Sequence, residues 1–408
     1  MGGVIAEGDG FVAKGQLAAG DGNLEAKGHR LDQVAVGVFN DKVRTGVDPN
    51  QPGDLDLQTC FFHDFPDAGL FSAFSRVHAP SGQAPAAVVR PLGQQYLFPG
   101  FVEDDGSTRP SVSDLFKPDE GGIHPREAAD HHSDVAGDLL ALVMQENSIT
   151  SSDISAIAFS QGPGLGPCLR VGSSVARALS SSWEVPLVGV NHCVAHIEIG
   201  RNLTGCDDPV LLYVSGGNTQ VIARRADRYR VLGETLDIGI GNMLDKFART
   251  QGMPFPGGPK IEGISEEWLQ RHPSNSLDSI KLPYAVQGMD LSFSGILTAA
   301  SQRCTEGHEI GQVCWSLQEH SFSACIEVAE RAMAHTGKSE LLLGGGVACN
   351  KRLREMASVM CEERGGTSYS PPNAYCVDNG TMIAELGRRM LESGPPTALG
   401  DSAVSPGL

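Results

Sequence analysis

Two histidines, His192 and His196, lie four residues apart directly after an apolar run at 186–190. If this stretch is helical, both imidazoles share one face and can bind the same metal ion. The spacing alone fits a pair of capping or core histidines equally well. Zincin-type proteolysis is disfavoured, because Cys193 stands where such a protease carries its glutamate base.

Three glycine-rich turns each follow a predicted strand. In the stretch 215–219, Gly216 and Gly217 let backbone amides approach an anion, and Ser215 adds a hydroxyl. The turns at 162–166 and 344–347 lie between a strand and a helix, where a phosphate could rest on free N–H groups. None matches GxGxxG or GxxxxGK[ST], which argues against those two nucleotide-binding folds. A single turn of this kind is commonly structural, but three in one chain favour phosphate or nucleotide binding.

Three acidic residues, Asp245, Glu262 and Asp378, interrupt apolar or glycine-rich segments. A carboxylate where a strand passes into a helix can bind a metal or accept a hydrogen bond from a ribose hydroxyl. For Asp378, helix N-capping is the strong alternative. The sequence offers no convincing general base, so we assign no catalytic residue.

The elements that position these residues alternate between strand and helix patterns from about residue 101, which predicts an α/β architecture with mostly buried strands. Residues 253–313 are interpreted as a loop and irregular chain, and residues 1–98 receive no core. The predicted strands are 154–160, 186–190, 209–215, 220–224 and 340–343. Of these, 209–215 and 220–224 are predicted to form a hairpin. The predicted helices are 132–146, 170–182, 192–201, 240–250, 314–336, one ending near 363, and 379–392.

The composition fits a folded chain, since 40% hydrophobic residues are enough to fill a core in each of two to three domains. Ten cysteines without a CxxC pair predict reduced thiols and a cytoplasmic protein. No apolar run of about 18 residues and no signal-type N-terminus occur, which argues against membrane insertion and secretion.

Taken in order, these segments resemble the TsaD family of tRNA adenosine threonylcarbamoyltransferases, in particular its archaeal and eukaryotic branch, the catalytic subunit of the KEOPS complex. The resemblance spans about residues 102–405. The blocks that carry it include QGPGLGPCLRVG (161–172), GVNHCVAHIEIGR (189–201), LLYVSGGNTQVIA (211–223), LGETLDIGIGNMLDKFAR (232–249), PFPGGPKIE (254–262), GGGVACNKRLREM (344–356) and CVDNGTMIAELG (376–387).

The resemblance implies the two-lobed actin/Hsp70/sugar-kinase-like (ASKHA) fold, an α/β fold with a ribonuclease-H-like sheet in each lobe. Lobe I is expected over 99–208 plus 381–408 and lobe II over 209–380, with a ligand in the cleft between them. Residues 1–98 stay unassigned, and the family's first strand is expected to be missing or replaced.

The resemblance also implies a site. One divalent metal ion per subunit, iron or zinc, would be held by His192, His196, Tyr213 and Asp378. Threonylcarbamoyl-AMP, the co-substrate, would be contacted by Tyr213, Val214, Ser215, Gly216, Gly217, Asp245, Gly258, Glu262 and Asn350.

The implied reaction belongs to the biosynthesis of threonylcarbamoyladenosine (t6A) in tRNA. It transfers a threonylcarbamoyl group to the N6 amine of adenosine 37 in tRNAs that read codons beginning with A. Expected partners are tRNA and the small protein kinase and dimerising subunits of KEOPS. Two alternatives stay open: a catalytically impaired scaffold subunit of the same complex, and another ASKHA enzyme of sugar-kinase or glycoprotease-like type.

One departure from the family concerns its first strand, which ends in a turn of the form GxEGTAH. Residues 89–96 should carry that turn but read VRPLGQQY, in which Gly93 is the lone match. We expect a misread start or an upstream frameshift to explain this, with a genuine appended segment as the alternative. The C-terminus also stops short of the family's charged tail.

The charge of the chain generates a first prediction. Its formal net charge is −18, of which only about −4 belongs to residues 1–100. An acidic surface repels the phosphate backbone, so tRNA capture should need basic partner subunits or screening by salt. Binding isotherms of the isolated chain with tRNA should show weak binding at low salt. Tight binding under those conditions would contradict this expectation.

Overall fold

The computed structural model describes residues 33–35, 96–97, 99–116, 124–226, 228–272 and 280–407. All of them belong to one compact unit, Leu31–Leu408. The turn expected at 89–96 lies outside the described residues, apart from Tyr96, and so does almost all of the unassigned segment 1–98.

The strands of the described part are short, and most lie in two sheets. They are β1 Gln33–Ala35, β2 Tyr96–Leu97, β3 Phe101–Glu103, β4 Asp114–Leu115, β5 Ala156–Gly162, β6 Leu187–Asn191, β7 Val210–Val214, β8 Thr219–Arg225, β9 Arg228–Glu234, β10 Val286–Gln287, β11 Asp290–Leu291, β12 Glu340–Gly344 and β13 Thr367–Tyr369.

The α-helices of the described part cover the faces of these sheets. They are α1 Pro125–Asn147, α2 Gly166–Trp183, α3 His192–Thr204, α4 Ile240–Thr250, α5 Gly257–Arg271, α6 Ser294–Thr305, α7 Ile310–Thr336, α8 Lys351–Glu363, α9 Asn373–Cys376 and α10 Gly380–Ser393. No helix in this part of the chain is long and apolar enough to cross a bilayer.

The first sheet has the strand order β3-β1-β5-β6. Strand β1 runs antiparallel to β3 and parallel to β5, with Val34 opposite both Val102 and Ala156. The place beside β5 that the sequence left without a strand is therefore filled by Gln33–Ala35. Strand β6 continues the sheet in parallel with β5.

The second sheet has the order β13-β12-β7-β8-β9. Strands β7, β12 and β13 are parallel, whereas β8 runs antiparallel to both β7 and β9. Counted in chain order from the β9 edge, the sequence of strands is 3-2-1-4-5, which is the ribonuclease-H-type arrangement that was expected. The central strand β7 is buried along its whole length, as a strand covered on both faces must be.

The two faces of β7 pack into different clusters. Val210, Leu212 and Val214 join the large core beneath α4 and α7, while Leu211 and Tyr213 join a cluster with Ile197 of α3. Side chains of a strand alternate between its faces, so this pattern directs Tyr213 toward α3.

Helix α3 packs against α10 through a separate apolar cluster. Ala195 and Ile199 of α3 share it with Met382 and Leu386 of α10. This helix pair becomes important below, because each helix delivers residues to the candidate site.

Several elements missing from the sequence prediction lie between residues 226 and 313. The prediction of a loop over 253–259 is wrong for residues 257–259, because α5 begins at Gly257. The reason is tertiary: the Gly257 amide donates to the Asp245 carboxylate at 2.7 Å, and a Cβ on Gly257 would lie 2.5 Å from Ala248 Cβ. The Gly-Gly-Pro sequence looks like a helix breaker, but it is what lets α5 start in contact with α4. The lobe boundaries given above stay a prediction.

Helix α6 is fixed by a distant carboxylate. Asp237 accepts hydrogen bonds from the Phe293 and Ser294 amides, both at 2.9 Å, from Ser292 Oγ at 2.7 Å and from its neighbour Ile238. Burial alone would raise the pKa of Asp237, but these hydrogen bonds outweigh it and hold the pKa well below its ordinary value.

Asp237 therefore generates a pH prediction. Because its pKa is lower in the folded state, its contribution to stability is present above about pH 4 and is lost as the pH falls below that value. Asp237→Asn should lower the free energy of unfolding at neutral pH and flatten its loss toward pH 3, measured by urea denaturation. Asp207→Asn, which alters a carboxylate with a 95% exposed side chain, serves as the control. Identical pH slopes for wild type and Asp237→Asn would contradict the assignment.

Candidate metal centre

Helix α3 begins where the sequence analysis placed it, and the reason is a cap. Asn191, the last residue of β6, accepts hydrogen bonds through its side chain from the Cys193 amide at 3.0 Å and the Val194 amide at 3.1 Å. The capping residue is thus Asn191, not His192. Both histidines lie inside the helix, and their imidazoles share one face.

Asp378 precedes α10 but does not cap it. The cap is Asn379, whose side chain accepts from the Met382 amide at 2.8 Å. The capping role considered for Asp378 is therefore wrong. Its carboxylate Oδ1 lies 3.1 Å from His192 Nε2 and 3.1 Å from His196 Nε2.

Tyr213 completes the cluster from the end of β7. Its hydroxyl lies 3.3 Å from His192 Nε2. His192, His196, Tyr213 and Asp378, predicted from widely separated parts of the sequence, are thus brought together. We call these four residues the metal cluster.

Burial controls the charge of the metal cluster. Burial lowers the pKa of His196, outweighing its hydrogen bond to Asp378, so this imidazole is neutral at pH 7. Burial, and then the charge of Asp378, raise the pKa of Tyr213 well above its ordinary value. For Asp378, burial alone would raise the pKa, but His192 and His196 outweigh burial and hold it well below its ordinary value. The cluster therefore contains a buried carboxylate anion.

The donor set fits a divalent transition metal. One atom each from His192, His196 and Asp378 can be chosen so that all lie within 4.8 Å of one another. Two imidazole nitrogens, a carboxylate oxygen and a phenol oxygen are ligands that suit zinc or iron. His196 Nδ1 is buried without a hydrogen-bond partner among the described residues, and the ring is held through Nε2, which lies 3.1 Å from Asp378, and by packing against the Tyr213 ring.

A tight turn follows Tyr213 at the end of β7. The Ser215 amide donates to the Asn218 carbonyl at 2.8 Å, and the Asn218 amide donates to Ser215 Oγ at 3.1 Å. The amides of Gly216 and Gly217 donate to no group in the described part of the chain. They keep the anion-binding capacity that the sequence predicted for them.

Two glycines that the sequence analysis missed support this turn, Gly239 and Gly241. A Cβ on Gly239 would lie 2.6 Å from the Gly216 carbonyl oxygen, and a Cβ on Gly241 would lie 2.7 Å from Gly216 Cα. Backbone therefore packs on backbone here, which only glycine allows. The Gly-x-Gly spacing across the start of α4 was the signal that could have identified them.

The other two glycine turns are less available to a ligand than expected. The Gly345 amide, predicted to be free, donates to the Cys376 carbonyl at 2.6 Å. The Gly164 amide donates to the Pro406 carbonyl at 3.2 Å. These two amides are therefore satisfied within the chain, while a phosphate at the other amides of the two turns stays a prediction. Gly344 adjoins the metal cluster instead, since a Cβ there would lie 3.7 Å from His196 Cβ.

The remaining predicted substrate contacts lie near helix starts. Asp245 of α4 accepts from the Gly257 amide next to Gly258, and burial raises the pKa of its carboxyl against the hydrogen bonds of both amides. Glu262 of α5 accepts from the Lys351 amide at 2.8 Å, at the start of α8.

Asn350 is the cap of α8. Its side-chain oxygen accepts from the Arg352 amide at 2.9 Å and the Leu353 amide at 3.2 Å, and its Nδ2 donates to Gln318 Oε1 at 2.8 Å. These bonds give Asn350 a structural task in the residues described, and its contact with a substrate stays a prediction.

Comparison with known proteins assigns the chain to a family. A family model described as "TsaD: tRNA N6-adenosine threonylcarbamoyltransferase" matches residues 111–385. The chain belongs to this family. With the two sheets described above, the match confirms the ASKHA fold class predicted from the sequence.

Two relatives illustrate the range of the match. The "Probable bifunctional tRNA threonylcarbamoyladenosine biosynthesis protein" of Methanosarcina mazei is 54% identical over 298 residues, which cover 72% of this chain and 53% of that protein. The "tRNA N6-adenosine threonylcarbamoyltransferase" of Methanococcoides burtonii is 50% identical over 317 residues, covering 77% of this chain and 92% of that protein. The chain thus spans about half the length of the bifunctional relatives it matches.

Among solved structures, full-length HypF in its phosphate- and nucleotide-bound form matches with a TM-score of 0.48 at 13% identity. That match covers 75% of this chain and 46% of HypF.

The metal cluster generates a binding prediction. The metal-free chain should bind Zn²⁺ in a calorimetric titration, and His196→Ala should weaken that binding by more than about 100-fold, since ligand loss costs more than loss of an outer partner. His124→Ala removes an exposed histidine outside the cluster and should leave the affinity unchanged. Equal affinities for wild type and His196→Ala would contradict the assignment.

Proposed function

We propose that this protein catalyses threonylcarbamoyl transfer to tRNA, the final step of t6A formation. The observation that carries the proposal is the metal cluster lying directly before the Ser215–Asn218 turn, in a chain of the TsaD family. Tyr213 belongs to the cluster and Ser215 begins the turn, so an ion and an anionic substrate group would be held two residues apart on one strand end.

The proposed reaction exchanges one bond to a carbonyl carbon for another. The N6 amine of adenosine 37 attacks the carbamoyl carbon of threonylcarbamoyl-AMP, the C–O bond to the phosphate breaks, AMP leaves, and the amine loses a proton. The adenylate makes AMP a good leaving group, but the adenine amine is a weak nucleophile. Catalysis must therefore stabilise charge and hold both reactants in place.

The residues of the chain divide this work. His192, His196, Tyr213 and Asp378 would hold an iron or zinc ion, which supplies Lewis acidity toward the carbamoyl carbonyl or the threonine carboxylate. The carboxylate of Asp378 offsets part of the positive charge in this buried site.

The free amides of Gly216 and Gly217 would bind the phosphate of the adenylate and stabilise the negative charge that AMP gains as it departs. Asp245 and Glu262 are proposed to contact the nucleoside, together with Gly258 and Asn350. We assign no general base, so positioning and electrostatics carry the proposed mechanism.

The proposed partners follow from the family. They are tRNA as substrate and the small protein kinase and dimerising subunits of the KEOPS complex, in the cytoplasm. The net charge of −18 supports this set, because basic partner surfaces would offset the repulsion between this chain and tRNA.

The test is transfer of labelled threonylcarbamoyl from its adenylate to tRNA, with and without the two partner subunits. The wild-type chain should form labelled t6A, and a His192→Ala/His196→Ala double variant should lose both metal and activity. If the double variant loses its metal but modifies tRNA at the normal rate, the proposed metal role is wrong. ATP-dependent phosphorylation of a sugar without any tRNA product would favour the sugar-kinase alternative.

A further inference from the structure

Two helices deliver three of the four groups of the metal cluster. Helix α3 carries His192 and His196, while Asp378 lies two residues before α10. The relative position of the helices therefore decides whether the carboxylate reaches both imidazoles. The apolar contacts between them are non-directional, and such contacts tolerate small slips.

An ion-pair bridge with two buried carboxylates and a partly exposed arginine joins the same two helices. Arg389 of α10 contacts Glu198 of α3, with 3.0 Å between Nη1 and Oε2, and also contacts Glu385 of its own helix, with 2.5 Å between Nε and Oε1. The Glu198 side chain is 7% exposed and that of Glu385 is fully buried. A guanidinium binds carboxylates in a fixed, directional geometry, which resists slippage.

Glu198 is also the meeting point of further donors. Arg201 contacts it from one turn along α3, at 3.0 and 3.1 Å, and the hydroxyl of Tyr229 donates to it from β9 of the second sheet. Arg201 and Tyr229 thus hold the Glu198 carboxylate in the place where Arg389 contacts it.

The bridge and the metal cluster lie on different sides of α3. Glu198 follows His196 by two residues, which places it about 200° further around a helix. Rotation of α3 about its axis would therefore disturb the Glu198–Arg389 contact and the His196–Asp378 contact together. Arg389 can resist such a rotation without touching the site.

We propose that Arg389 is a positioning residue for the metal centre, holding α3 and α10 in the register at which Asp378 meets both histidines. The proposal rests on the metal-dependent function proposed above. It requires that loss of the bridge weaken metal binding beyond any general loss of stability.

The chain offers a matched control in the neighbouring residue. Arg388 also pairs with Glu385, at 3.0 Å, and contacts Glu392 and the Asp104 carbonyl, but among the described residues no hydrogen bond or ion pair joins it to α3. Arg388→Met and Arg389→Met thus each remove one arginine from Glu385, and only the second variant breaks the link between the helices.

The experiment is a Zn²⁺ titration of the metal-free full chain, with the melting temperature of each variant measured in parallel. Arg389→Met should weaken Zn²⁺ binding by about ten-fold, the low end of the cost of losing a group bonded directly to a ligand, because Arg389 acts through the helices; Arg388→Met should stay close to wild type. Wild-type affinity in Arg389→Met, or an equal loss in Arg388→Met, would overturn the proposal. If Arg389→Met does not fold, Glu198→Gln replaces it: weaker Zn²⁺ binding supports the proposal and unchanged binding overturns it.

The His196→Ala variant separates this inference from the proposed function. If the wild type binds Zn²⁺ no better than His196→Ala, the metal centre itself fails, and the positioning role fails with it. If the wild type binds tightly and Arg389→Met equals it, only the positioning role fails.

Discussion

The carboxylate of Asp378 faces the imidazoles of His192 and His196, and the caps and packing of the two helices decide whether that contact forms. The carboxylate is buried and charged, so it needs partners that satisfy it. Two helix caps place the groups. Asn191 caps α3, so that both histidines lie inside the helix on one face. Asn379 caps α10, so that the Asp378 carboxylate is available to the histidines. His192 and Asp378 stand next to these caps and could have capped the helices in their place. The site forms because they do not.

The loops near this contact are built from backbone packed on backbone. Gly239 and Gly241 support the turn at Gly216, while the β12 end brings Gly344 against the metal cluster. A ligand at such a place meets backbone amides and few side chains. Backbone amides can bind an anionic group of a ligand even though the protein as a whole is acidic. The family's proposed substrate, an adenylate, has that chemistry.

Much of this was predictable from the sequence because it depends on local signals. Strong periodicity gave the bounds of α4 correctly, and the ligand types of the metal cluster followed from motifs that resemble a known family. What was missed depends on contacts distant in the chain. Helix α5 starts at Gly257 because Asp245 accepts its amide, and the Gly345 amide is occupied because Cys376 lies beside it. No local pattern contains either partner. The strand at Gln33–Ala35 was missed for the same reason, since its pairing partners lie far along the chain.

The central claim is that His192, His196, Tyr213 and Asp378 hold one metal ion. The most direct measurement is a crystal of the metal-loaded chain, with anomalous diffraction recorded on both sides of the zinc or iron absorption edge. The account predicts a single strong anomalous peak per chain, bonded to Nε2 of both histidines, to the hydroxyl oxygen of Tyr213 and to an oxygen of Asp378. A peak at any other position, or no peak from crystals whose metal content is stoichiometric, would contradict it.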